Sequence, residues 1–274
     1  MDFRWTDAEK AFRKELRQFL DDLVPEGYDA FALSEEEWGA DARRFCGELA
    51  RHGYLTPSWP PEYGGRAASP FEQVIVAEEM VLHGEPRGLQ YMNVNYIGPT
   101  IMMAGSEEQK RYHLSRISRG DVLWCQGFSE PDSGSDLASL RTRAVSDGDE
   151  FVINGEKIWT SGAAVADFCF LLARTDSGAP ARRGLSLFLV PMDTPGVEVR
   201  AVPGVVGEGA FHQLVFTEAR VPADALLGEE NGGWPLVRRA LVFERVGVAK
   251  YAWGAHYLDR FMAWARVRGL APRP

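Results

Sequence analysis

No stretch of this 274-residue chain is apolar over the roughly 18 residues that a membrane-spanning helix requires. The first residues, Met1-Asp2-Phe3-Arg4-Trp5, hold no apolar core of the kind a secretory signal peptide needs. Cysteine is scarce: Cys46, Cys125 and Cys169 are odd in number and far apart, which suits reduced thiols, so a cytoplasmic protein is expected. The five histidines, His52, His83, His113, His212 and His256, lack the spacing of a ligand set, and no metal site is expected. Positive charge is also in deficit, with 30 Lys and Arg against 39 Asp and Glu. A net charge of -9 argues against nucleic acid as the main partner, because phosphate binding wants a basic surface. There is no internal repeat and no low-complexity tract. What remains is ordinary for a globular chain: 45% hydrophobic and 25% charged residues, enough for one large or two modest domains.

The first 120 residues carry four helix-start signatures, each a hydroxyl residue followed three positions later by Glu or Gln. They are Thr6 with Glu9, Ser34 with Glu37, Ser69 with Glu72 and Ser106 with Gln109. In such a box the hydroxyl serves one orphan N–H of the first turn and the longer side chain reaches back to another. Apolar residues then recur at helical spacing: Phe12, Leu16, Phe19, Leu20 and Leu23 after the first box, Trp38, Ala42, Phe45 and Leu49 after the second. Pro25 and Gly27 stop the first helix and Gly53 the second. Residues 55–65, with Pro57, Pro60, Pro61, Gly64 and Gly65, must be loop. Residues 92–104 are nearly all apolar and predict a buried helix, kinked at Gly98-Pro99.

From Val122 the pattern changes to short apolar runs. Residues 140–145 and 150–153 are joined by Asp147-Gly148, and Asn154-Gly155 is expected to turn 151–153 back onto 157–159 as a hairpin. Residues 168–173, 185–190, 197–202 and 214–221 complete a small sandwich or barrel. After Asn231-Gly232-Gly233 the helical period returns, and residues 234–268 can form one long helix. The expected class is α+β: a helical domain over 1–121, a β-domain over 122–228, and the start of a second helical domain over 229–274.

The seam between the helical and strand patterns runs from Trp124 to Asp136. It begins as an apolar strand and breaks into Ser129-Glu130-Pro131-Asp132-Ser133-Gly134-Ser135-Asp136. Hydroxyls and freed backbone N–H groups there could hold an anion or a heteroaromatic ring. On the residues alone this stretch reads as a surface turn, and Trp159 as a core aromatic of a hairpin.

Three motifs, in order along the chain, change that reading. Pro61-Glu62-Tyr63-Gly64-Gly65, then Phe128-Ser129-Glu130-Pro131 with Gly134-Ser135-Asp136, then Gly155-Glu156-Lys157-Ile158-Trp159-Thr160-Ser161-Gly162 together resemble the acyl-CoA dehydrogenase family. The resemblance covers essentially the whole chain. It implies a β-domain of two small sheets between helical domains, with FAD in the cleft beside the last helices. It implies removal of an α-proton from an acyl-CoA thioester and hydride transfer from Cβ to flavin N5, the oxidation step of β-oxidation. An electron-transfer flavoprotein would be the acceptor, and the assembly a homo- or hetero-oligomer. Carried over residue by residue, Phe128 and Ser129 would hydrogen-bond the flavin ring and Gln126 would border its edge. Ser135 would meet the pyrophosphate beside the substrate, Trp159 would stack near the isoalloxazine, and Ser161 would reach toward N5.

The family's base stands either in a later segment that these residues do not include or just before an Arg on the helix that follows the strands. Glu244-Arg245 occupies the second place. Val237, Ala240 and Leu241 precede Glu244 at helical spacing, and Gly247, Val248 and Tyr251 follow it. Glu244 is therefore expected within a buried stripe, where lost hydration raises a carboxylate toward a useful base. The alternative is a structural Glu paired with an Arg. Arg245 would border the substrate or a partner. Arg182-Arg183 could meet the 3′-phosphate of CoA, although a solvated loop accounts for them as well.

The family continues beyond this point with further helices, an Arg-x-x-Phe-Gly stretch and a Gly-Gly segment that contact FAD across a subunit interface. Their lack is expected to mark a fragment rather than a chain completed by a partner, and to leave apolar surface exposed along 234–268. Two other readings of the same residues are a flavin oxidase or monooxygenase and a catalytically silent partner subunit.

Overall fold

The computed structural model describes residues 4–28, 33–88, 90–204, 207–246 and 249–270, with the backbone course alone for 207–210, 245, 246 and 250. All four helix-start signatures close as reciprocal caps. In the first, the Glu9 N–H donates to Thr6 Oγ1 at 3.2 Å and the Thr6 N–H donates to the Glu9 carboxylate at 2.7 Å. The helices are α1 (Asp7–Leu23), α2 (Glu35–Arg51) and α3 (Pro70–Leu82). Two more follow, α4 (90–104) and α5 (107–119), each with a π-helical turn. The π turn of α4, Asn93–Ile97, lies directly before Gly98-Pro99. Pro99 has no N–H to donate, so the regular ladder fails there and the preceding turn widens; this is the form the expected kink takes. Gly98 is needed at that point, since a Cβ would lie 2.2 Å from the Trp59 ring.

Eight strands follow: β1 (Trp124–Gly127), β2 (Arg143–Asp147), β3 (Glu150–Thr160), β4 (Phe168–Arg174), β5 (Leu185–Pro191), β6 (Val197–Gly204), β7 (Gly207–Pro222) and β8 (Leu226–Leu227). They run β6-β7-β3-β2-β4-β5-β8, with β1 parallel to β4 on its free side. Two groups are evident, β6-β7-β3-β2 and β1-β4-β5-β8. The pair Arg143↔Arg174 stitches them into one eight-stranded sheet, the form in which the two expected small sheets occur.

The period of two along β4 explains why its six residues from Phe168 to Ala173 are all buried. Phe168, Phe170 and Leu172 face the helices and pack with Ile97, Ile101 and Leu114, while Cys169, Leu171 and Ala173 face β3 and β7 and pack with Ile153, Leu214 and Val221. A strand covered on both faces reads as a continuous apolar run. The β4–β5 layer thus belongs to both cores and fixes the helical layer against the rest of the sheet.

Two expectations are corrected. Asn154-Gly155 makes no hairpin; β3 runs straight through it, and both halves pair with β7. Gly155, at φ +145°, sits at a bulge, and a Cβ on it would lie 2.6 Å from Thr142 Cα. Asn154 instead serves the partner strand, its Oδ1 accepting the Glu218 N–H at 2.9 Å. Long-range pairing with β7 has overridden a strong local turn signal. The second correction concerns residues 234–268, which form two helices, α6 (Gly233–Val246) and α7 (Lys250–Val267). Ala249, with ψ of 47°, is outside helical geometry. Gly247 lowers helix propensity between them. Helix α7 lies against α3, where Ala249 and Ala252 pack on Val81 and the Tyr251 hydroxyl donates to Glu78. Its opposite side carries exposed Tyr257, Leu258, Phe261 and Trp264, the apolar surface expected on this segment.

Candidate functional site

The turn after β1 and the end of β3, nearly 30 residues apart in sequence, are held together by one buried lysine. Lys157 Nζ donates to Glu130 Oε1 at 2.9 Å and to the Phe128 carbonyl at 3.0 Å. The Glu130 carboxylate also accepts the backbone N–H groups of Arg141 (2.6 Å) and Thr142 (2.8 Å). One backbone bond completes the junction, from the Ile158 N–H to the Ser129 carbonyl at 2.9 Å. Burial pushes the Lys157 ammonium down to about 8, against the pull of Glu130. Burial also opposes ionisation of Glu130, but Lys157 and the donors of Thr142 and Arg141 outweigh it and hold the carboxyl below its ordinary value.

Beyond Pro131 the chain makes a closed turn. Glu130 and Ser133 exchange both backbone hydrogen bonds, at 2.9 and 3.0 Å, and Ser133 Oγ and Ser139 Oγ both donate to the Asp136 carbonyl at 2.8 Å. Ser133 is buried, while Asp132, Gly134, Ser135 and Asp136 are presented outward. The sequence reading gave Lys157, Glu130 and Ser133 no role. The available signal was a lone acid and a lone base inside otherwise buried strand ends, and a serine three residues before the carbonyl it caps.

Ser129 and Ser161 are half-buried and Ser135 is exposed, and none of these hydroxyls has a partner among the described residues. Trp159 is not a core aromatic. It is 59% exposed, with φ +63°, and its ring meets only the edge of Phe211, at 5.9 Å, among the described aromatic contacts. A bulky residue in left-handed geometry with an open ring face is an outlier that invites a ligand. Phe128 is buried, its ring centroid 5.8 Å from that of Phe170. Gln126 is half-buried and its Oε1 accepts the Tyr96 hydroxyl.

Glu244 lies on α6. Its charge helps to push the Tyr91 and Tyr96 hydroxyls upward, after the larger effect of burial in each. Tyr96 in turn donates to Gln126, so a single hydroxyl stands between the acid's field and β1. Glu244 is half-buried, however, and not enclosed in a continuous apolar stripe. Val237 and Ala240 are fully buried before it, but α6 ends at Val246, and Tyr251 belongs to the next helix and is exposed. The N-terminal end of α6 is fixed by polar contacts: the Asn231 N–H donates to Ser186 Oγ at 2.7 Å and Thr175 Oγ1 donates to Asn231 Oδ1 at 2.7 Å. The side chain of Arg245 lies outside the described residues. Arg182 and Arg183 are exposed, with Arg182 over the Trp234 ring at 5.6 Å, well suited to a solvated loop.

Residues 6–121 match the family model for the N-terminal domain of acyl-CoA dehydrogenases, and residues 125–219 the model for their middle domain. The chain belongs to the acyl-CoA dehydrogenase family. It is 37% identical over 272 residues to acyl-CoA dehydrogenase FadE26 of Mycobacterium tuberculosis, covering 97% of this chain and 67% of that protein. It is also similar to the solved Tcur3481-Tcur3483 steroid ACAD, at TM-score 0.87 and 38% identity, covering 100% of this chain and 71% of that one. A third likeness is to a glutaryl-CoA dehydrogenase from Mycobacterium smegmatis in complex with FADH2, at TM-score 0.69 and 27% identity, over 89% of this chain and 62% of that one. The chain thus spans 62–71% of the length of these acyl-CoA dehydrogenases. Family members bind FAD. Among the described residues no helix is long and apolar enough to cross a membrane, and no cluster of His, Cys, Asp or Glu is suited to a metal ion.

Proposed function

We propose that this chain carries the FAD-facing and substrate-facing part of an enzyme that oxidises an acyl-CoA thioester to the trans-2-enoyl-CoA. The observation that carries the reading is the junction of residues 128–130 with 157–161, where unpartnered serine hydroxyls and an open Trp159 ring share one edge. This donor set suits a flavin: backbone and hydroxyl groups for the polar rim of a flat ring, an indole for its face, and an outward turn at Ser135 for a pyrophosphate. When bound, FAD supplies the hydride acceptor.

The chain's own residues hold and orient. Gln126, Phe128 and Ser129 would hold the polar rim of the ring, Ser161 would offer it a hydroxyl, and Trp159 would supply an aromatic face. Glu244, as base, takes the α-proton onto its carboxylate as the β-hydride departs, and Arg245 would border the substrate or a partner. Tyr91 and Tyr96 add a hydroxyl-lined but otherwise apolar wall that limits water near the acid, which favours abstraction of a weakly acidic proton. Under this reading the helical part extends to about residue 121, the β part to about 228, and the rest opens a second helical part. An electron-transfer flavoprotein would be the acceptor for the electrons that bound FAD takes up. The steroid named for the Tcur3481-Tcur3483 protein makes a ring-bearing acyl group the first substrate to try beside straight chains.

The test is the visible spectrum of the purified chain reconstituted with FAD, before and after anaerobic addition of straight-chain, branched and steroid-side-chain acyl-CoAs. Flavin bands that bleach with a thioester are expected. A chain that takes up no flavin refutes the reading in favour of a silent subunit. Bleaching followed by rapid oxygen-driven peroxide release would make it an oxidase.

A further inference from the structure

Trp159 is held in an unfavourable backbone geometry by something other than its own side chain. A left-handed φ of +63° is disfavoured for a bulky non-glycine residue. The ladder between β3 and β7 is irregular from Lys157 to Thr160 and resumes at Thr160↔His212. The His212 imidazole then bridges outward. Its Nδ1 lies 3.3 Å from the Thr160 carbonyl and its Nε2 lies 3.1 Å from Glu35 Oε2. Both His212 and Thr160 are buried.

A carbonyl can only accept, and so can a carboxylate. Satisfying both bonds therefore requires one proton more than a neutral imidazole and an ionised acid together possess. Whether that proton rests on His212 or Glu35, the pair shares it. Burial pushes the Glu35 carboxyl up and His212 pulls it back. The Thr160 hydroxyl has no partner, and the backbone N–H of Ala164 joins the imidazole in stabilising the Glu35 carboxylate.

Glu35 is the first residue of α2, and the same face of that helix meets the next residues of the chain. Glu35, Gly39 and Arg43 are four residues apart and so lie in one row. A Cβ on Gly39 would lie 2.9 Å from Val165 Cβ. Arg43 donates to the Val165 carbonyl at 3.1 Å and to the Asp167 carboxylate at 2.9 Å. The Asp167 carboxylate also accepts the Leu123 N–H at 2.7 Å, just before β1. Helix α2 thus grips residues 160–167 along its length, and Ser161 lies inside the gripped segment.

We propose that His212 is a positioning residue: with Glu35 it clamps the end of β3 to helix α2 and so sets the pose of Trp159 and Ser161 toward the flavin. The consequence for the flavin rests on the function proposed above, whereas the clamp itself does not. It makes the helical layer a determinant of the flavin's surroundings.

The experiment compares the purified chain with His212→Phe, which keeps a ring but loses both hydrogen bonds, and with His212→Gln, which can restore one. Amide hydrogen exchange of residues 159–167 is read by mass spectrometry, with residues 168–174 as internal reference. The expected result is exchange ~10-fold or more faster over 159–167 in the Phe variant, unchanged exchange over 168–174, and partial recovery in the Gln variant. In FAD-loaded protein the visible bands and the reduction potential shift in the same order. Unchanged exchange over 159–167 overturns the proposal, and so does faster exchange with unmoved bands and potential. If the parent takes up no flavin, the functional reading has failed and the exchange alone decides the clamp. Glu35→Gln, which keeps shape but removes the charge, is the second variant should His212→Phe fail to fold, and it is expected to loosen the same segment.

Discussion

The Lys157 ammonium and the Glu130 carboxylate meet at 2.9 Å inside the protein, and each spends its remaining capacity on backbone: Lys157 on the Phe128 carbonyl, Glu130 on two N–H groups. Such a buried pair costs much to break, because removing one partner strands the other charge. Lys157→Met is expected to destabilise the fold by about 3–5 kcal/mol. The double variant Lys157→Met with Glu130→Gln is expected to lose less than the two single losses added together. Urea unfolding of the four proteins gives the coupling; simple additivity would show that the pair does not act as a unit.

Gly155 and Asn154 make a bulge where a hairpin is the local expectation, and the two arrangements respond oppositely to substitution. Gly155→Ala forces a side chain into φ +145° against Thr142 and is expected to cost roughly 1–3 kcal/mol or more. In a type I′ hairpin Asn154 would act through its own turn. In the bulge it serves Glu218 on β7, so Asn154→Ala and Glu218→Gly, examined together in a thermal denaturation cycle, are expected to couple. Independence of the two would favour the hairpin.

How far the sequence announces this architecture depends on the range of the interaction concerned. The caps at Thr6, Ser34, Ser69 and Ser106 are complete within four residues, and all four form. The apolar runs of β4 and β5 are legible because burial on both faces leaves no room for polar residues. Asn154-Gly155 misleads because β7, some 60 residues on, offers β3 a longer partner than it can offer itself. The seam at 124–136 and the motif at 155–162 are readable as motifs, but their junction through Lys157 is not, since nothing local says which acid a buried lysine will meet. Glu244 shows the remaining gap. A helical wheel treats the helix as continuous, and the break after Val246 leaves that acid half-buried where the wheel encloses it.

His113 stands in an aromatic cage of Tyr112, Trp124 and Phe168, with its Nδ1 unpartnered, and burial pushes its imidazolium down to about 4 from an ordinary 6.5. The unfolded chain therefore binds a proton near pH 6.5 that the folded chain refuses until near pH 4. Stability from this group is fully present above pH 6.5 and falls as pH drops toward 4, by a total of roughly 3 kcal/mol. His113→Phe removes the titration while keeping a ring. Its stability is expected to vary less than the parent's between pH 6.5 and 4 in urea melts, with the two proteins converging toward each other as pH falls or the variant becoming the more stable. Parallel pH profiles would exclude a buried neutral imidazole.

Helix α7 packs through Ala252 on Val81 and leaves Tyr257, Leu258, Phe261 and Trp264 open along one stripe, with Phe261 and Trp264 stacked at 5.8 Å. A contiguous apolar stripe of this kind promotes association. The purified chain is expected to sediment as a concentration-dependent mixture, and Leu258→Glu with Phe261→Glu to shift it toward monomer without lowering the melting temperature of the sheet. Equal sedimentation of parent and variant would show that this face is not what brings chains together.

The proposed base makes the sharpest demand. Glu244 biases Tyr96, and Tyr96 donates to Gln126 on the strand that leads into the Phe128-Ser129 turn. If the carboxylate removes the α-proton, Glu244→Gln keeps its size and hydrogen-bonding reach but cannot take the proton. In FAD-loaded protein the visible bands should match the parent's, while anaerobic bleaching by the best acyl-CoA slows by roughly 10²–10⁴-fold. Glu244→Asp retracts the carboxylate by one methylene and should fall between, because proton abstraction tolerates little change in distance. Tyr96→Phe removes a hydroxyl that feels the acid's charge but not the acid itself, and is expected to perturb bleaching far less than Glu244→Gln. Bleaching of Glu244→Gln at the parent rate would assign the proton to another group and leave Glu244 as a structural acid on α6.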